Sequence, residues 1–166
     1  MYWEIIEKAF WSGIVGFGFA TIFNVPYRLL LAIFVTSMLA GIVKFGTLYF
    51  NVNIIFASLF AASLVGFISI PYSRFKHTSP FVISIPSVIG MIPGYFGYQT
   101  LLGIMHLAIG HKTNSQDIDT LLFITHNAIN MFFVLASLSI GVSLPWLIFR
   151  EKGLKKIKLT NENDLM

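Results

Sequence analysis

Residues 85–94 read Ile85-Pro86-Ser87-Val88-Ile89-Gly90-Met91-Ile92-Pro93-Gly94, inside an apolar run from Pro80 to Ile109. Two prolines and two glycines in so short a stretch do not suit an ordinary buried helix. Proline removes a backbone donor and clashes with the preceding turn; glycine gives up helix propensity. In a bilayer, the freed backbone groups need partners inside the protein or in a water-filled cavity. Broken helices at membrane depth are one way transporters build substrate sites. The stretch predicts a discontinuous transmembrane element lining a path, shaped by Pro86, Gly90, Pro93 and Gly94. The blander readings are a proline-kinked helix packed on its neighbours, or a polar connection near the membrane surface.

Composition sets the class. Of 166 residues, 56% are hydrophobic and only 11% charged, against about 25% charged in soluble domains. The fold class expected is all-α: a polytopic membrane protein of about five transmembrane helices, one of them broken. Residues 1–150 form a single helical membrane domain, and 151–166 a basic, polar tail. The absence of cysteine rules out a disulfide framework and any thiolate ligand or nucleophile. The net charge of +4 sits in loops and the tail, with no basic–aromatic platform for nucleic acid. The start, Met1-Tyr2-Trp3-Glu4, lacks the positive flank of a cleaved signal, so the first apolar run is expected to remain as a span.

Outward from the broken stretch, the spans are expected as follows. Span one covers about Ala9–Val25, with Ser12, Gly16 and Ala20 on one small-residue stripe that lets helices approach closely. Asn24-Val25-Pro26 ends it, because the residue before a proline is pushed out of the helical region. Span two covers about Leu29–Val43, extendable to Leu48, with Ser37/Gly41 and Thr36/Ala40 as small pairs. Lys44 is expected to snorkel to the interface. Span three covers about Ile54–Ile70 and is closed by Pro71, followed by a polar loop from Tyr72 to Ser79. Span four is the broken one: Phe81–Met91, then Tyr95–Ile109. The combined length exceeds the ~20 residues a straight span needs, so the segment either tilts and kinks or has a re-entrant first half. Asp117 or Asp119 is expected to cap the last span, about Leu121–Phe149, which Pro145 kinks or ends.

Five crossings put Arg28, Arg74, Lys76, Arg150, Lys152, Lys155, Lys156 and Lys158 on one side, and Lys8, Lys44 and Lys112 on the other. That is eight of the 11 basic residues against three. The positive-inside rule makes the first side cytoplasmic, with the N-terminus outside and the C-terminus inside. A four-span arrangement splits the bias, so the charges favour an odd number.

All seven acids lie at termini, span ends or loops, and none is a mid-span relay of the kind proton-coupled pumps use. The polar residues at depth are His106 and the group His126, Asn127 and Asn130. His126 and Asn130, four apart, share a helix face. Tyr98 and Gln99 follow the break. These are candidate pathway linings; the competing reading is that they hydrogen-bond between packed helices or, for Tyr98 and His106, sit at the interface. There is no enzyme motif. The four histidines lack metal-ligand spacing, so no metal or cofactor is expected.

Phe23-Asn24-Val25-Pro26 together with the Pro86…Pro93-Gly94 pattern resembles the threonine/serine exporter family. The closer likeness is to the small, separately encoded subunit matching the C-terminal membrane domain of full-length exporters, from about Gly13 to Arg150. It takes in the Ser73-Arg74 loop and Leu138-Ser139-Ile140-Gly141. The resemblance implies secondary active export, across the cell membrane, of small hydrophilic metabolites: threonine and serine, and for split members dicarboxylates such as succinate. It also implies a larger partner subunit carrying the other membrane half. Only the turn motif (Asn24, Pro26) and the broken-span motif are carried over. Two other classes of function compete: an assembly subunit that touches no substrate, and a self-sufficient homo-oligomeric channel.

Overall fold

The computed structural model describes residues 2–109 and 115–163, with side chains for 3–109 and 118–149. Six helices follow in order: α1 (Tyr2–Ile22), α2 (Tyr27–Tyr49), α3 (Ile54–Lys76), α4 (Pro80–Ile89), α5 (Gly94–Ile109) and α6 (Ser115–Asn163). There is no strand among the described residues. Helices α1, α2, α3 and α6 are each long and apolar enough to cross a membrane, and α4 with α5 forms a pair bent by 54° at the break. The chain is an all-helical membrane protein with a broken element where the proline and glycine pattern predicts one.

The first three helices stop in the same way. Asn24, Asn51 and His77 take left-handed backbone conformations, with φ of 54°, 57° and 53°. The amide after each reaches back to the helix: Val25 to the Ala20 carbonyl (3.0 Å), Val52 to Thr47 (3.3 Å) and Thr78 to Ser73 (2.9 Å). This is the Schellman closure, which satisfies carbonyls that a helix end leaves free. Asparagine and histidine enter the left-handed region more readily than most non-glycine residues.

These caps correct the expected boundaries. Pro71 does not close α3; it lies inside a helix that runs to Lys76. Pro71 is exposed, so the distortion it imposes meets no packed neighbour, and the stop comes from His77. The polar loop shrinks to residues 77–79. Likewise Pro145 lies inside α6, which runs unbroken past residue 150. This helix begins at Ser115, before Asp117 and Asp119. Neither aspartate is therefore the cap, a position that falls outside the described residues.

Small residues set the packing. The stripe Ala9, Ser12, Gly16 and Ala20 is buried. A Cβ on Gly41 would lie 3.0 Å from the Ala9 Cα and 3.1 Å from the Ser12 Cβ, so α1 and α2 meet nearly backbone to backbone. The α3 stripe, with Ala57, Ala61, Ala62 and Gly66 buried, packs on α6. A Cβ on Gly141 would lie 2.7 Å from the Ala62 Cβ, and one on Gly66 would lie 2.9 Å from the Pro145 Cγ. Close approach of this kind replaces the hydrophobic driving force that lipid cannot supply.

These contacts also give direction. Ala62 meets Gly141, Gly66 meets Pro145, and Phe67 meets Phe149, so α3 and α6 run parallel. Two parallel spans need one net crossing between them. The broken pair therefore carries the chain across once, whereas a re-entrant loop would return it and make α6 antiparallel to α3.

Candidate functional site at the helix break

The break sits inside the bundle. Met91 is buried in a cluster with Ala40 of α2, Ala61, Ala62 and Val65 of α3, Val88 of α4, and Val134 and Leu138 of α6. Gly90 packs against α1: a Cβ there would lie 3.2 Å from Val15 Cγ1 and 3.4 Å from the Ser12 carbonyl oxygen. Ser12 is the tenth residue of the 20-residue α1 span, Trp3–Ile22, so the break lies near mid-depth.

At that depth Lys44 is 6% exposed, and its Nζ donates to the Met91 carbonyl at 2.5 Å. This corrects the snorkelling expectation. A Cα–Cβ bond tilts toward the N-terminus of its helix, and for a residue late in α2 that direction leads back into the bundle. In a continuous helix the Met91 carbonyl would accept from the Tyr95 amide four residues on; the bend at the α4–α5 break interrupts that register, the carbonyl needs a donor from elsewhere, and Lys44 supplies it. Lys44 is the eighteenth of the 23 residues of α2, late in the span yet buried, and a charged side chain held inside a bundle is costly, so its placement needs a compensating role. The acids with described side chains, Glu4, Glu7 and Asp119, are all exposed, and none is buried with Lys44.

Two further hydroxyls are buried on these helices. Ser37 lies seven residues before Lys44 on α2, two turns or about 10.5 Å along the axis, and Ser84 lies on α4. Ser37 is 0% and Ser84 1% exposed, and neither Oγ has a hydrogen-bond partner. Gly16 makes room between the helices: a Cβ on it would overlap Ser37 Oγ and lie 3.5 Å from the Pro86 carbonyl oxygen.

The predicted lining residues divide into two groups. Pro86 is buried and Gly90 half-buried at the α1–α2–α4 junction, beside the Lys44–Met91 contact. Pro93 and Gly94 form the break itself, but a Cβ on Gly94 would meet nothing within 4 Å, and no glycine among the described residues has positive φ. The missing amide of Pro93, not any freedom of Gly94, sets the interruption. The second group lies on the α5–α6 hairpin, where Gly97 meets Met131 and Gly103 meets Ile124. Helix α5 has no buried residue. Tyr98 is exposed and Gln99 half-buried. Asn127 is 4% exposed and turns its amide onto the Phe123 carbonyl at 3.0 Å. His126 and Asn130 pair with each other at 2.9 Å on an exposed face, and His106 is exposed. The structure does not bring these residues to the break. Among the described residues no group of histidine and acid side chains is arranged to hold a metal.

The turn motif supports the first group. Pro26 precedes α2, and Val25 packs with Ala20, Leu29 and Ile83, so the Asn24–Pro26 turn braces the start of α4. Reading the sequence missed Lys44. The signal was there: it falls on the Ser37/Gly41 stripe already identified as a packing face.

A sequence profile of the family described as "Threonine/Serine exporter, ThrE" matches residues 8–148. An uncharacterized protein of Haemophilus influenzae is 26% identical over 149 residues, covering 88% of this chain and 48% of the relative. The chain thus spans about half the length of that curated relative. No solved structure matches.

Proposed function

Because the chain belongs to the threonine/serine exporter family, we propose that it is a membrane subunit of a secondary active exporter of small hydrophilic metabolites, working with a larger partner subunit. The observation that carries this reading is the family match over residues 8–148, which spans the broken helix. Transport, rather than an enzymatic reaction, is what the family description names.

On this reading the substrates are threonine- or serine-type amino acids, with dicarboxylates such as succinate as the other class. Alternating access proceeds around the α4–α5 break, where half-helix ends offer partial charges to a zwitterionic or anionic substrate. The orientation is N-terminus outside and basic C-terminal segment inside a plasma membrane. Pro86, Gly90 and Pro93 shape the passage. Tyr98, Gln99, His126, Asn127 and Asn130, on the hairpin, line the part of the path shared with the partner.

The test is transport of labelled threonine and succinate by the purified chain in proteoliposomes, with and without the larger subunit. Export only with both proteins present supports the reading. Export by the chain alone replaces it with a homo-oligomeric channel. If alanine substitutions in the chain lower export only by dissociating the complex, an assembly subunit takes its place.

A further inference from the structure

We propose that Lys44 is the carboxylate-binding residue of this chain, and that an amino-acid zwitterion binds by inserting between Lys44 Nζ and the Met91 carbonyl. The proposal rests on the exporter reading and adds to it the site and the class of substrate.

The resting contact already has the required polarity. Nζ donates to the Met91 carbonyl oxygen, a cationic donor facing a neutral acceptor at a helix break. An α-amino acid presents the complementary pair on one carbon. Its carboxylate accepts from Nζ in place of the carbonyl, and its ammonium donates to the Met91 oxygen thereby released. Both groups keep a partner throughout the exchange, and a charge-assisted bond is stronger than one to a neutral carbonyl.

The same geometry discriminates. A dicarboxylate has no donor for the Met91 carbonyl and sets a second negative charge against it, with no second buried lysine or arginine among the described residues. A monocarboxylate without an ammonium group leaves the carbonyl unpaired.

The test uses everted membrane vesicles from the source organism, where export is read as uptake, with each variant replacing the native chain. Labelled L-threonine and succinate are the probes; L-serine methyl ester and L-lactate are unlabelled competitors. Lys44→Met is expected to raise the KM for threonine at least tenfold at normal protein level. Succinate should be taken up at no more than a tenth of the threonine rate, and neither competitor should block uptake. Wild-type KM in Lys44→Met, or Lys44-dependent succinate uptake equal to that of threonine, overturns the proposal. Should Lys44→Met fail to insert, wild-type KM for threonine in Lys44→Gln overturns it instead. The exporter reading fails separately, if deleting the chain leaves uptake of both labels unchanged.

Discussion

Gly66 of α3 and Pro145 of α6 occupy each other's space: a Cβ on Gly66 would sit 2.9 Å from the proline Cγ and 2.9 Å from the Val142 carbonyl oxygen. The proline that would ordinarily interrupt α6 is thus buried in the notch that the glycine leaves. Gly66→Ala should destabilise the protein by about 1–3 kcal/mol, the usual range for overpacking. Gly46→Ala, with nothing within 4 Å of the new atom, should be neutral or stabilising by up to about 1 kcal/mol, the gain in helix propensity from glycine to alanine. Thermal unfolding in detergent compares the two; equal melting shifts would discredit the α3–α6 seam.

Lys44 is expected to contribute little net stability. Removing it deletes a buried charge, which is often neutral or favourable, but orphans the Met91 carbonyl, at about 1–3 kcal/mol. Lys44→Met should therefore unfold within about 1–2 kcal/mol of the wild type. A collapse of stability would mean that the lysine is foremost a structural pin.

At the break the two residues of the Pro93-Gly94 pair should separate. Gly94→Ala meets open space and should leave export unchanged. Pro93→Ala restores an amide and permits a straighter helix, and should reduce export at least tenfold with membrane insertion intact. Normal efflux from Pro93→Ala combined with Gly94→Ala would remove the broken-span mechanism.

The parallel course of α3 and α6 predicts the sidedness of labelling. The chain has no cysteine, so single cysteines report unambiguously. Asn51→Cys and Ile109→Cys should react with an impermeant maleimide from one side of the membrane, and His77→Cys from the other. Reaction of positions 77 and 109 from the same side would make the α4–α5 pair re-entrant.

At the α1 terminus, Asn24 has φ 54°. Asn24→Gly should be tolerated, whereas Asn24→Val should cost about 1–2 kcal/mol, because a β-branched residue is strained there. Melting temperatures distinguish the two substitutions.

How much of this was legible in the residues depends on which physical force wrote them. Low charge and long apolar runs follow from lipid contact, so the class of protein and the span count could be read directly. Pro86, Pro93 and the two glycines announced a break, because backbone chemistry is local. The small-residue stripes announced close packing for the same reason. Their partners were not legible. In a bilayer both faces of a span are apolar, so periodicity says little about which face turns inward, and Lys44, near the end of its span, read as a snorkelling residue. Only the assembled bundle turns it toward Met91, since the acceptor belongs to another helix 47 residues later. The same holds for Pro71 and Pro145. Whether a proline ends a helix depends on the neighbours around it and on whether a left-handed cap follows. The sequence by itself determined the membrane class, the broken span and the small-residue faces, all consequences of local chemistry and solvent. The tertiary structure alone decided the direction of the lysine, the parallel course of α3 and α6, and the separation of the hairpin polar residues from the break, because each depends on contacts between segments far apart in the chain.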